Sequence, residues 1–99
     1  MISKSALKVP GGKLVKVEVE HDWKQVERAK ITGDFFVHPE DSLQELEASL
    51  AGCKLDETEI AGRLERRAGQ LRCQLIGFTA QDVAQAIMQA VNASASQTG

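Results

Sequence analysis

The segment Leu14 to Glu20 constrains this chain most, because Val15, Val17 and Val19 alternate with Lys16, Glu18 and Glu20. A period of two sets three valines on one face and three charges on the other, so the segment reads as a strand with one oily and one wet side. Just before it, Pro10 holds φ near about −65°, and Gly11 and Gly12 tolerate positive φ. The chain therefore reverses between Val9 and Leu14, and Ser3 to Val9 forms a first strand. His21 to Gln25 reads as a loop whose Trp23 folds back over the sheet as a lid. Val26 to Thr32, with Ala29 and Ile31 sharing a face, supplies a third strand. An antiparallel three-stranded meander results.

Gly33 then breaks the strand. In Asp34-Phe35-Phe36-Val37 two adjacent aromatics in extended backbone must point to opposite faces. One Phe enters the core, and the other either anchors a neighbouring surface or is buried by a kink.

Helical signals follow. His38-Pro39-Glu40-Asp41 reads as a helix start, with proline at the first helical position and acids at the positive dipole end. Leu43, Leu46 and Leu50 form its buried stripe, and Gly52 closes it. Asp56 with Glu59 three residues on predicts a capping box opening a second helix, whose apolar line is Ile60, Leu64, Ala68 and Leu71. Arg63, Arg66, Arg67 and Arg72 read as a solvated face paired with Glu59 and Glu65. Leu75 to Phe78 reads as an apolar connector packed under the helices. Thr79 with Asp82 opens a third helix with Val83, Ile87, Ala90 and Val91 inward. Strands first and helices after, with one apolar sheet face to cover, predict an α+β fold. Residues 1–91 are expected to form one domain, and 92–99 a flexible polar tail.

A chain of 99 residues can bury roughly 65% of its unfolded surface, enough for a core without metal or disulfide staples. No apolar run approaches membrane-spanning length and no signal peptide is evident, so a cytoplasmic location without membrane attachment is expected. Cys53 and Cys73 stand 20 apart with no further cysteine or histidine beside either. That pattern reads as two small hydrophobes in a reducing compartment, with a disulfide as the lesser alternative. His21 and His38 are equally solitary, so no metal site is expected.

The net charge of −2 argues against nucleic-acid binding, but the charge is unevenly spread. Residues 1–33 carry a balance of +3 and the rest −5. A basic, glycine-lined hairpin suits an anionic ligand or an acidic partner, although lysines that protect a sheet edge also explain it.

Catalytic constellations are wanting. Pro10 to Leu14 superficially resembles a phosphate loop, but the first glycine of that motif is missing, and Leu14 stands where Ser or Thr would hold magnesium. No Ser-His-Asp or Cys-His signature is visible, nor a carboxylate pair in an apolar stretch. No catalytic residue is assigned, and such a chain is better suited to completing another protein's site.

Lys8-Val9-Pro10-Gly11-Gly12-Lys13-Leu14-Val15, with Ile31-Thr32-Gly33-Asp34-Phe35-Phe36 running into Pro39-Glu40-Asp41, resembles the accessory domain of lipoate-protein ligase over about residues 6 to 91. In that family the domain is either fused behind a large catalytic domain or stands as a separate small subunit, and a free chain of this size resembles the second arrangement. The resemblance implies a heterodimer with a large catalytic subunit that holds lipoate, ATP and magnesium, this chain binding none of them alone. It implies formation of lipoyl-AMP and then transfer to a lysine of a lipoyl acceptor domain, met transiently, with no activity from the small chain by itself. It also implies a fold similar to iron-sulfur scaffold and sulfur-acceptor proteins, although their three-cysteine pattern is missing here. On this reading Lys8, Gly11, Gly12 and Lys13 form a loop facing the partner or the adenylate, and Phe35 or Phe36 anchors the interface. The rival reading is a noncatalytic α+β scaffold or sulfur-trafficking adaptor, in which Cys53 and Cys73 would carry the function.

Overall fold

The structure is a computed structural model that describes residues 1–11 and 13–97, the side chains of 95–97 excepted. Its elements are β1 (Ile2–Lys8), β2 (Leu14–His21), β3 (Val26–Gly33), β4 (Phe36–His38), α1 (Ser42–Ser49), α2 (Glu57–Leu71), β5 (Gln74–Ile76) and α3 (Ala80–Gln97). The expected meander is present, an antiparallel sheet in the order β1-β2-β3, with a second antiparallel pair, β4-β5. The fold is α+β.

Alternation governs the sheet. Val15, Val17 and Val19 are buried with Ala29 and Ile31, and Ile60, Leu64, Val83, Ile87 and Ala90 of the helices close over them in one core. The neighbouring residues along each strand point away from the helices. Both sheet edges are dressed. Along β1, Gln89 donates to the carbonyl of Ala6 and Ser5 to that of Ala86. Along β3, the Glu47 carboxylate of α1 accepts the Ile31 N–H at 2.7 Å, and the Val26 N–H donates to the Cys53 carbonyl. Unpaired strand edges invite association with other chains, and these contacts blunt them.

The helix openings follow their local chemistry. The Asp56 carboxylate accepts the Glu59 N–H, and Thr79 and Asp82 cap each other reciprocally, each side chain accepting the other's backbone N–H. Four expectations about the helices and their connections are corrected. The first helix begins at Ser42, because residues 39–41 form a turn in which the Ser42 N–H donates to the Pro39 carbonyl. Residues 74–76 pair as a strand with β4, which leaves Ile76 48% exposed, while Phe78 is buried as expected. Arg63 and Arg67 reach across to α1 rather than to their own helix's acids: Arg63 donates to the carbonyls of Ser49 and Ala51, and Arg67 meets Glu45 at 2.9 Å. Finally, α3 continues through Gln97, past Asn92 where the composition turns polar. Serine and alanine sustain a helix there, and the Ser94 hydroxyl meets Ser3 at 2.6 Å.

That contact ends a buried polar chain. The Trp23 N–H donates to Nδ1 of His21, so the ring proton sits on Nε2, which donates to the Ser3 hydroxyl at 2.9 Å. His21 is fully buried, and burial, reinforced by the nearby N-terminal ammonium, pushes its pKa down. Trp23 stands edge-on to the His21 ring and is 44% exposed, so it borders the sheet's end without covering it as a lid.

Candidate functional site

Three corners of the chain meet at one end of the molecule: the β1-β2 hairpin, the β3-β4 corner and the β5-α3 corner. The hairpin closes through the Val9 N–H donating to the Lys13 carbonyl, with Gly11 at φ +95°, a turn conformation open to glycine. The β3-β4 corner is packed tightly against it. Gly33 has φ +150°, and a Cβ there would lie 2.0 Å from the Leu14 carbonyl oxygen. Only glycine fits, so the corner bearing Phe35 and Phe36 is held to the first residue of β2.

Lys13 lies between the other two corners. Its Cγ would sit 3.5 Å from a Cβ built on Gly77, so its stem crosses the β5-α3 corner. Two shallow concavities flank it. One is lined by Pro10, Gly11, Lys13, Gly77, Thr79 and Asp82, the other by Gly11, Lys13, Gly33, Asp34, Phe35 and Phe36. Each is therefore bordered by the lysine and by one acid, Asp82 or Asp34. Lys8 is placed apart, at the end of β1 opposite Leu14 and in the lining of neither concavity. Gly12 lies outside the described residues.

The two phenylalanines divide as their adjacency demands. Phe35 is half-buried, its ring centroid 4.2 Å from that of buried Phe78. Phe36 is 68% exposed and stands directly opposite Ile76 across the β4-β5 ribbon. Phe36 and Ile76 thus form a cross-strand apolar pair on the surface, beside the lysine-tipped hairpin. The sequence reading missed Ile76, Gly77, Thr79 and Asp82 as parts of this end. The capping signature at Thr79 and Asp82 located the helix start, but nothing in it showed that the start lies against the hairpin.

The cysteines stand elsewhere. Cys53 is fully buried and both thiols are free. Burial pushes the Cys53 thiol up, which keeps it protonated at neutral pH and makes it a poor nucleophile. Among the described residues, no group of three or more His, Cys, Asp or Glu side chains is placed to hold a metal ion. Among those residues, too, no helix is long and apolar enough to cross a membrane.

Residues 4–87 match the family model for the bacterial lipoate protein ligase C-terminus. The fold is also similar, with a TM-score of 0.74, to a chain in the structure of an archaeal lipoylation system, a bi-partite lipoate protein ligase and its E2 lipoyl domain from Thermoplasma acidophilum. The two are 28% identical, and the match covers 88% of this chain and 94% of that one. No curated protein matches the chain.

Proposed function

We propose that this chain, which belongs to the bacterial lipoate protein ligase C-terminus family, is the small accessory subunit of a two-component lipoate-protein ligase. One observation carries the reading: the match takes in 94% of a chain from a bi-partite ligase system, so the likeness is to nearly a whole separate chain. The partner is a large catalytic subunit that holds lipoate, ATP and magnesium. The pair joins lipoate to AMP with release of pyrophosphate, then passes the lipoyl group to a lysine of an acceptor domain.

The geometry supports a division of labour at the end described above. Phe36 and Ile76 offer an apolar anchor of the kind that carries binding energy at interfaces. Beside them the hairpin tip, Gly11 and Lys13, is exposed and meets the partner near the adenylate. A closing element of this sort raises the rate by ordering the pocket and excluding water, without adding a reactive group. Lys13 also offsets phosphate charge as it develops.

The reading is tested by combining the purified chain, a large subunit, lipoate and ATP, and measuring pyrophosphate with each component omitted. Release needs both proteins. Lys13→Ala leaves the complex assembled but slows release by more than about tenfold, roughly 1.4 kcal/mol of transition-state stabilisation; an unchanged rate removes the hairpin from the chemistry.

A further inference from the structure

The helices cover one face of the three-stranded sheet and leave the other open. On that face the register sets Lys4 opposite Glu18 opposite Lys30, Ala6 opposite Lys16 opposite Thr32, and Ile2 opposite Glu20 opposite Arg28. Lys4, Lys16, Arg28 and Lys30 are all exposed. Among the described residues, the face holds one ion pair, Arg28 to Glu20 at 3.4 Å, with side chains 82% and 38% exposed. Glu18 stands in register between Lys4 and Lys30, but among the described residues neither these two lysines nor Lys16 closes an ion pair within 4 Å. Together with Glu18 and Thr32 the three lysines line a shallow concavity of about 360 Å³.

This face concentrates positive charge in an otherwise acidic molecule. With Lys8, which alternation puts on the same side, it holds five cations against Glu18 and Glu20, with Glu47 bordering it at the β3 edge, while the whole chain carries −2. Two acids in its middle row make it a poor match for the uniform charge of a nucleic-acid backbone. They suit a protein surface of mixed but mainly acidic character. The face carries no aromatic side chain. A stable subunit interface needs apolar area; among its paired residues this face exposes one large apolar side chain, Ile2 at its edge, whereas Phe36 and Ile76 stand together on the β4-β5 ribbon. A lysine-studded sheet gives fast, salt-sensitive association, as befits a partner that arrives, reacts and leaves.

We infer that the open sheet face docks an acidic surface of the lipoyl acceptor domain, an inference that rests on the ligase reading and extends it to the second substrate. The large subunit is engaged at one end of the molecule and the acceptor on the sheet.

The test uses the two-chain ligase assembled with the wild-type chain or with the Lys4→Glu, Lys16→Glu, Lys30→Glu triple variant. All three positions are exposed, but new glutamates at positions 4 and 30 would flank Glu18 across the strands, where like charges repel. Circular dichroism checks the fold, and the Lys4→Gln, Lys16→Gln, Lys30→Gln variant, which removes the charge without that repulsion, should raise KM in the same direction. Two readouts are taken: pyrophosphate release from lipoate and ATP without acceptor, and KM for the unlipoylated acceptor domain in transfer. The expected result is unchanged pyrophosphate release with KM raised at least about tenfold, and a KM that climbs with sodium chloride for the wild type but not for the variant. An unaltered KM overturns the inference. Equal losses in both readouts also overturn it, because they assign the face to the large subunit. If even the wild-type chain fails to stimulate pyrophosphate release, the ligase reading itself has failed. Titration of the isotope-labelled chain with the acceptor domain alone then decides the docking: amide shifts gathered at Lys4, Lys16 and Lys30 support it, and their absence overturns it.

Discussion

Replacing Phe36 and Phe35 by alanine, one at a time, separates anchoring from folding. Phe36 is 68% exposed, so its truncation removes little that the isolated fold depends on. Stability should move by no more than about 0.5 kcal/mol. In a complex the same ring would be desolvated against the large subunit, where an aromatic anchor contributes roughly 2–4 kcal/mol. Phe36→Ala should therefore weaken association by roughly 30- to 1,000-fold. Phe35→Ala should do the reverse. Its ring packs on Phe78 with centroids 4.2 Å apart, and truncating a half-buried aromatic plus losing the ring pair should cost about 2–3 kcal/mol. In a domain of this size that lowers Tm by about 10 °C or more. Thermal denaturation followed by circular dichroism reads the first quantity, and calorimetric titration with the large subunit reads the second. If Phe36→Ala lowers Tm as much as Phe35→Ala, or leaves affinity within about twofold of wild type, the exposed ribbon is not an anchor.

Other perturbations probe the scaffold behind that surface. Glu47→Ala removes the carboxylate that accepts the Ile31 N–H; loss of a charge-assisted hydrogen bond should cost about 1.5–3 kcal/mol in urea unfolding and leave the β3 edge prone to concentration-dependent association, visible by light scattering. Gly33→Ala drives a Cβ to 2.0 Å from the Leu14 carbonyl and should cost more than about 3 kcal/mol. A stable variant with unchanged large-subunit binding would show that the corner is not rigid. His21 gives a pH signature: its folded-state pKa is lowered, so the unfolded chain takes up the proton first. Its contribution is intact above pH about 6.5 and is lost as pH falls below that, by at most about 1.4 kcal/mol per pH unit. Urea unfolding of wild type and His21→Gln between pH 7.5 and about 5 checks the sign, since the variant should lack that part of the slope.

Local chemistry made most of the scaffold legible. The alternating valines of β2, the Pro-Gly turn and the cap pairs at Asp56 and Thr79 each act within a few residues, and each appears where it was read. What stayed hidden depends on distant partners. The β4-β5 ribbon joins two three-residue strands some 38 positions apart, too short for alternation to declare itself. Its pairing turns Ile76 outward when a run of apolar residues reads as buried. Arg63 caps the end of α1 because helix packing brings it there, which no spacing within α2 encodes. At the candidate site, Lys13, Gly11 and the Phe35-Phe36 pair were visible as motifs. Which phenylalanine faces out, and that Gly77 and Thr79 border the hairpin, depended on the packing of three corners far apart in the chain.

The central claim is that this chain makes a larger enzyme competent without being an enzyme itself. It is tested most directly by titrating the chain into a fixed amount of large subunit with saturating lipoate and ATP, and following the initial rate of lipoyl-AMP formation. The rate should rise at least about tenfold and level off at one chain per large subunit, with none from the chain alone. A large subunit equally fast before the first addition would contradict the account.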